Sequence, residues 1–109
     1  MFGLVVFHMK GCPHCKAVTG PQSAAKAVGD LLPVYEIESS DPLAKQMGVS
    51  SFPTIFFTAP GLSFKFDRDR TPEEIRRFVL EKMGQYYTLT KILRNTKAAN
   101  APAARRTRF

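Results

Sequence analysis

An α/β domain with one central mixed sheet and helices on its faces is the fold this sequence of 109 residues predicts. Three observations carry the prediction. Short apolar runs alternate with helical stretches through the first half, the pattern of strands joined by crossover helices. The last two apolar runs are separated by Pro60-Gly61, a turn that makes them an antiparallel hairpin. A capped amphipathic helix follows the hairpin. The predicted order is β-α-β-α-β-β-α, with four strands in the sheet.

Each element has a local reason. Residues 3–9, GLVVFHM, are rich in Val and Phe and end at Lys10-Gly11, so they read as a buried strand. From Cys12 the pattern turns helical, with Pro13 at an allowed first-turn position. Ala17, Val18, Ala24, Ala25 and Val28 supply its inner face. Gly20 and Pro21 predict a kink or break in that helix. Residues 31–38, LLPVYEIE, form the second strand, with Tyr35 and Ile37 alternating against Val34, Glu36 and Glu38. The stretch SSDPLAKQMGV predicts a short helix capped by Ser40 or Asp41, started by Pro42 and ended at Gly48. Residues 54–59 and 62–67 are the third and fourth strands. The helix at 71–83 has Thr71 as its cap, Pro72 at its start and Glu73 and Glu74 facing its positive end. Ile75, Phe78, Val79 and Met83 form its apolar stripe. Strands separated by helices predict parallel pairing among the first three, and the hairpin predicts an antiparallel fourth.

Length and composition bound the function. The chain is long enough for one core and not two. At 44% hydrophobic and 11% aromatic residues it is globular rather than disordered. Residues 1–90 hold ten Lys and Arg against nine Asp and Glu. Residues 91–109 hold Lys91, Arg94, Lys97, Arg105, Arg106 and Arg108 and no acid. The positive charge therefore belongs to an appendage and not to the domain. Three regions follow: a domain over 1–84, a helical extension over 85–94 and a basic Ala/Pro/Arg tail over 95–109. In the extension, Tyr86, Leu89 and Leu93 share a face with Ile92 beside them. The tail lacks core periodicity and is expected to be disordered alone. The first residues, MFGLVVFHMKGC, lack a positive n-region and a cleavage site, which predicts a cytoplasmic protein. No run approaches a membrane span, and no membrane partner is expected.

The chemistry lies in Cys12-Pro13-His14-Cys15, which holds the only two cysteines. A loop this short constrains the unfolded chain too little for a structural disulfide. Zinc needs four ligands, and only His8 and His14 are at hand to join the pair. A reactive pair outweighs both. Cys12 stands where a helix begins, so unpaired backbone N–H groups and the helix dipole favour its thiolate. His14 and Lys16 add positive potential. Cys15, one turn on, is expected to be the more buried. A stabilised thiolate stabilises the reduced form and makes the disulfide the stronger oxidant. No metal or cofactor is expected. For His8 the structural role outweighs a functional one.

A strand running into C-x-x-C at a helix start, with FPT much later before another strand, resembles the thioredoxin fold. DPLAKQMGVSSFPTIFF is similar to the corresponding run of protein disulfide isomerase domains, and FKFDRDRTPEEIRRFV to the segment that follows it. Together the motifs span residues 3–83 in the family's order. The tetrapeptide is the form carried by the bacterial periplasmic disulfide oxidants, where isomerase domains usually have Gly in place of Pro13. The resemblance implies a thioredoxin-like three-layer α/β/α fold and a thiol–disulfide oxidoreductase of oxidase or isomerase type. It implies Cys12 as nucleophile, Cys15 as resolving thiol and His14 as tuning group. It also implies a substrate-binding set of Pro13, Phe52, Pro53 and Thr54, with Pro53 cis and the Phe52 backbone pairing with a substrate strand. Implied partners are cysteine-containing proteins, with a thiol oxidase or glutathione as redox partner.

The sequence departs from that pattern. Val6 stands where thioredoxin has a buried Asp, and His8 is the one titratable side chain in its strand. Trp is absent, Gly11 precedes the first Cys, and Pro21 comes one residue later than the family's helix-kinking proline. The leading β-α unit is missing. A second class of function follows from the appendage: a structural or adaptor subunit, such as a capsid component, docked by the Tyr86–Phe109 extension. Lys91 to Arg108 would then meet an acidic protein, nucleic acid or an assembly lattice. Redox folding without a signal peptide is a habit of large DNA viruses, so a virion-associated protein is one expected setting.

Overall fold

The structure is a computed structural model that describes residues 2–20 and 23–100, with backbone alone for 94–100. A four-stranded sheet carries β1 (Gly3–His8), β2 (Val34–Glu38), β3 (Thr54–Ala59) and β4 (Leu62–Lys65) in the spatial order β2-β1-β3-β4. Helices α1 (Pro13–Lys16), α2 (Pro42–Gln46) and α3 (Pro72–Asn100), with a 3-10 helix over Ala24–Val28, complete the fold. The expected order of strands and helices and the mixed sheet are both present.

Strand β1 lies inside the sheet and is buried on both faces, which is why it reads as an unbroken apolar run. Its alternate residues divide two cores. Leu4 and Val6 face a cluster with Val28, Ile55, Phe57, Ile75, Phe78 and Val79, closed by α3 and the 3-10 helix. Val5 and Phe7 face a smaller cluster with Ala44 of α2, rimmed by Met47, Phe52 and Phe56. The two layers of helices on one sheet follow directly from this period-two alternation.

Strand directions correct one expectation. Strands β1 and β2 are parallel, with Val6 opposite Glu36, but β3 is antiparallel to β1, with Phe7 opposite Thr54. Phe7 also pairs with Ile37 near the end of β2, so β2 leaves and β3 enters at the same end of the sheet. Helix α2 has five residues at about 1.5 Å each, too little rise to carry the chain back along the strands. The β3–β4 hairpin is antiparallel as expected, with Ala59 opposite Leu62.

The first helix is also shorter than its pattern predicts. It is one turn, Pro13–Lys16, and the chain reaches φ +89° at Gly20 before resuming as the 3-10 helix. Ser23 caps that helix through the Lys26 N–H, at 3.3 Å. The helix thus ends four residues ahead of the break expected at Gly20, and the kink expected at Pro21 lies outside the described residues. The Glu36 carboxylate accepts from the Gly20 N–H at 2.7 Å and ties this loop to β2.

Thr71 caps α3 by accepting from the Glu74 N–H at 3.1 Å. The expected stripe is the buried one: Ile75, Phe78 and Val79 are sealed, and Met83 packs beside them. The helix does not stop at Gly84 but continues to Asn100 as one element. Gly84 lacks a positive φ, so nothing in its backbone turns the chain. Tyr86 packs edge-on to Phe2, which stacks on Phe57, and so draws the second half of the helix onto the sheet's corner. Beyond Tyr86, Tyr87, Leu89, Ile92 and Leu93 are exposed. The long helix accounts for the 59 Å longest dimension against 28 and 20 Å across. Among the described residues no helix is long and apolar enough to cross a membrane. Residues 101–109 of the tail lie outside the described residues.

Candidate active site at the start of the first helix

Strand β1 delivers the chain to Met9, and a tight turn brings the Cys12 N–H to the Met9 carbonyl at 3.3 Å. Gly11 holds φ +74° within it, a region other residues adopt only at a cost. Cys12 then stands as the cap of α1 and Pro13 as its first residue. The Cys12 sulfur accepts from the Cys15 N–H at 3.1 Å. A sulfur thus occupies the place usually taken by a Ser or Asp oxygen at a helix start.

The two thiols are unequal. Cys12 is 8% exposed and Cys15 2%. The Cys12 thiol is held below the ordinary cysteine range, first by the Cys15 thiol donating to its sulfur. Burial opposes this as the next largest effect, and the backbone N–H groups of Cys15 and His14 and the charge of Arg70, each smaller, act in the lowering sense. Cys15 is pushed up, first by burial and then by its bond and charge interaction with Cys12. One thiol is therefore prepared to ionise and its neighbour to keep its proton.

The source of the stabilisation differs from the expectation. With a single turn in α1, a long helix dipole is not available, and individual N–H groups carry the effect. His14 is exposed, and it is the backbone amide of His14 that reaches the sulfur. Lys16 is exposed on the last position of α1.

From across the sheet comes the turn before β3. The Phe52–Pro53 peptide is cis. The Cys12 thiol points at the Phe52 carbonyl, with sulfur and oxygen 3.8 Å apart. Phe52 and Pro53 are half-buried and join Pro13, which is exposed, around the pair. Thr54 is placed differently from the rest of its expected set. It is buried, and its hydroxyl donates to the Ser51 carbonyl at 2.6 Å, so it braces the turn from within. Val6 is fully buried in the large core, and no carboxylate takes its place in that strand.

Arg70 is a charge that sequence reasoning did not link to the pair. It sits in the loop before α3, far along the chain, and its charge is the smallest of the effects that lower both thiols. The loop DRDR offered a dense run of charge but no spacing to link it to Cys12. Among the described residues, no group of three His, Cys, Asp or Glu side chains is gathered as metal ligands.

This arrangement is chemically suited to exchange between thiols and disulfides, and the comparisons with known proteins agree. The sequence profile of thioredoxin matches residues 2–81. Protein disulfide isomerase-like 1-4 of Arabidopsis thaliana is 31% identical over 94 residues, covering 82% of this chain and 16% of that protein. The J-Trx1 fragment of ERdj5 superposes with a TM-score of 0.64 at 29% identity, covering 74% of this chain and 41% of the fragment. The first thioredoxin domain of mouse protein disulfide-isomerase A4 gives a TM-score of 0.60 at 31% identity, over 73% of this chain and 61% of that one. The chain spans less than two thirds of each of these three. A matching profile over the whole sheet, with the Cys12 and Cys15 thiols close together at the first helix, leads to one conclusion: the chain belongs to the thioredoxin family.

Proposed function

We propose that the domain is a thiol–disulfide oxidoreductase of the oxidase or isomerase type, acting on protein cysteines. The observation that carries this reading is the Cys12 sulfur bonded to the Cys15 N–H at 3.1 Å, beside a resolving thiol that burial keeps protonated. Cys12 as thiolate attacks one sulfur of a substrate disulfide, and the other sulfur leaves as a thiolate. Cys15 then loses its proton and attacks Cys12, releasing the reduced substrate and leaving a Cys12–Cys15 disulfide. Run in reverse, the same steps oxidise a substrate dithiol. Each pass moves two electrons: reduced glutathione would return the disulfide left by substrate reduction to the dithiol, and a thiol oxidase or oxidised glutathione would return the dithiol left by substrate oxidation to the disulfide. Phe52 and Pro53, beside the nucleophile, are the groups against which a substrate backbone would lie.

The direction follows from thiolate stability. Whatever lowers the Cys12 pKa stabilises the reduced form and raises the potential. The test is the Cys12–Cys15 potential in a glutathione buffer. A value between about −180 and −120 mV supports the oxidant or isomerase reading; one near −270 mV makes the domain a reductant.

A second role rests on α3. Its last turns leave Tyr87, Leu89, Ile92 and Leu93 exposed, in the part of the sequence that carries Lys91, Arg94 and Lys97. An arm of this kind suits attachment to an acidic partner or nucleic acid. Pull-down with chains ending at residue 84 or 94 tests it. Loss of a salt-sensitive partner on truncation supports the arm, and retention rejects it.

A further inference from the structure

Along the chain, charge around the nucleophile is one-sided. Residues 1–29 contain no Asp or Glu, and they hold Lys10, Lys16, Lys26 and both histidines. Lys10 lies in the turn that closes from Cys12 to Met9, and the Lys16 N–H donates to the Cys12 carbonyl at 3.3 Å. Arg70 adds a third cation from the loop before α3. All three side chains are exposed. Elsewhere three arginines are paired, Arg68 with Glu81, Arg76 with Asp30 and Arg77 with Glu74, while among the described residues Lys26, Lys45, Lys65, Lys82 and Lys91 form no ion pair. Among the described residues, Lys10, Lys16 and Arg70 form no such pair.

The acids of this region are Glu36, Glu38, Asp41, Asp67 and Asp69. Glu36 holds the Gly20 N–H, and Asp41 caps α2 through the Leu43 N–H at 2.9 Å. Glu38 stands opposite His8 at the end of the β1–β2 ladder. Asp67 and Asp69 share the loop with Arg68 and Arg70, and it is Arg70 whose charge acts on the sulfurs.

We propose that Lys10, Lys16 and Arg70 form a cationic rim that selects substrate cysteines flanked by carboxylates, so that the preferred substrates are acidic peptide segments. The proposal rests on the exchange reading above and names its substrate class. A chain entering into a mixed disulfide with Cys12 must lie across this rim. Screening acts over roughly 8–10 Å at physiological salt, so only charges within a few residues of the attacked sulfur act on the rim appreciably. Opposite charge raises the encounter rate, and like charge lowers it.

The experiment uses the reduced full chain and disulfide-closed peptides of one length, flanked by Glu, Ser or Lys. Stopped-flow absorbance gives the second-order rate of each peptide's reduction. Flanking carboxylates also change the intrinsic reactivity of a disulfide. Each rate is therefore divided by that of the same peptide with dithiothreitol. At low ionic strength the normalised Glu rate should exceed the Lys rate by about tenfold, and the ratio should fall toward one near 1 M salt. The K10E/K16E double variant should invert the order, with the Ser peptide as reference. Normalised Glu and Lys rates that agree within about twofold at low salt overturn the proposal, and that measurement needs no variant. Failure of the exchange reading itself looks different: no peptide would react faster with the native chain than with Cys12→Ser.

Discussion

The working unit at the residue scale is an unequal pair of thiols. Cys12 has its sulfur among N–H donors, with a smaller effect of the Arg70 charge, while Cys15 is sealed and donates toward it. Alkylation at mildly acidic pH should therefore modify Cys12 well before Cys15, as peptide mass mapping would show. Cys15→Ala should accumulate mixed disulfides and Cys12→Ala should not. Because the backbone amide of His14 touches the sulfur and the imidazole is exposed, His14→Ala should leave the Cys12 pKa nearly unchanged. Arg70→Ala should raise the pKa of both thiols, read from thiolate absorbance against pH. The pair also makes the stability of the reduced protein pH-dependent. Below the ordinary thiol range, but above the folded pKa of Cys12, the unfolded chain binds more protons than the fold. Stability therefore rises with pH there and is lost as pH falls through the folded Cys12 pKa. Cys15 acts oppositely: its contribution is lost as pH climbs past the ordinary range toward its raised value. Thermal unfolding of the reduced protein across pH should show this rise, and Cys12→Ser should abolish it.

At the scale of elements, α3 is held by its first half and merely continued by its second. Thr71 satisfies the Glu74 N–H, so Thr71→Ala should cost about 1 kcal/mol in chemical unfolding. Gly84 lies within the same helix, exposed, and a Cβ there would meet nothing within 4 Å. Gly84→Ala should then stabilise the protein by about 0.5–1 kcal/mol, since alanine loses less backbone entropy on entering a helix. An unchanged or lowered stability would mean that the helix pivots at Gly84 in solution. Phe78, sealed between Phe66 and the cation of Arg68, contributes on a larger scale, and Phe78→Ala should cost about 3–5 kcal/mol.

For the molecule as a whole, the two cores flank one sheet and none of their buried members lies beyond Val79. Tyr86 is the last side chain packed against them. Removing residues 95–109 should leave the melting temperature and exchange rates nearly unchanged, as calorimetry and a peptide-reduction assay would report. Truncation at residue 84 removes Tyr86 from Phe2 and should lower the melting temperature by a few degrees, for a loss of about 1 kcal/mol.

Much of this was legible along the chain because it is local. Caps, apolar periods and turn residues act within a few positions, which is why Thr71, a cap at Ser40 or Asp41, the buried stripe of α3 and the Pro60-Gly61 hairpin were readable directly. The cysteine pair and its order of burial were readable for the same reason: cap and resolving thiol are three residues apart. Gly84 misled the reading, because glycine weakens a helix without ending it, and the contact of Tyr86 with Phe2 joins opposite ends of the chain. The reversed direction of β3 was hidden as well, since it depends on how far α2 carries the backbone in space. Arg70 was invisible for a related reason. A charge acts on a sulfur through distance, and only the folded sheet brings the loop before α3 to the start of α1.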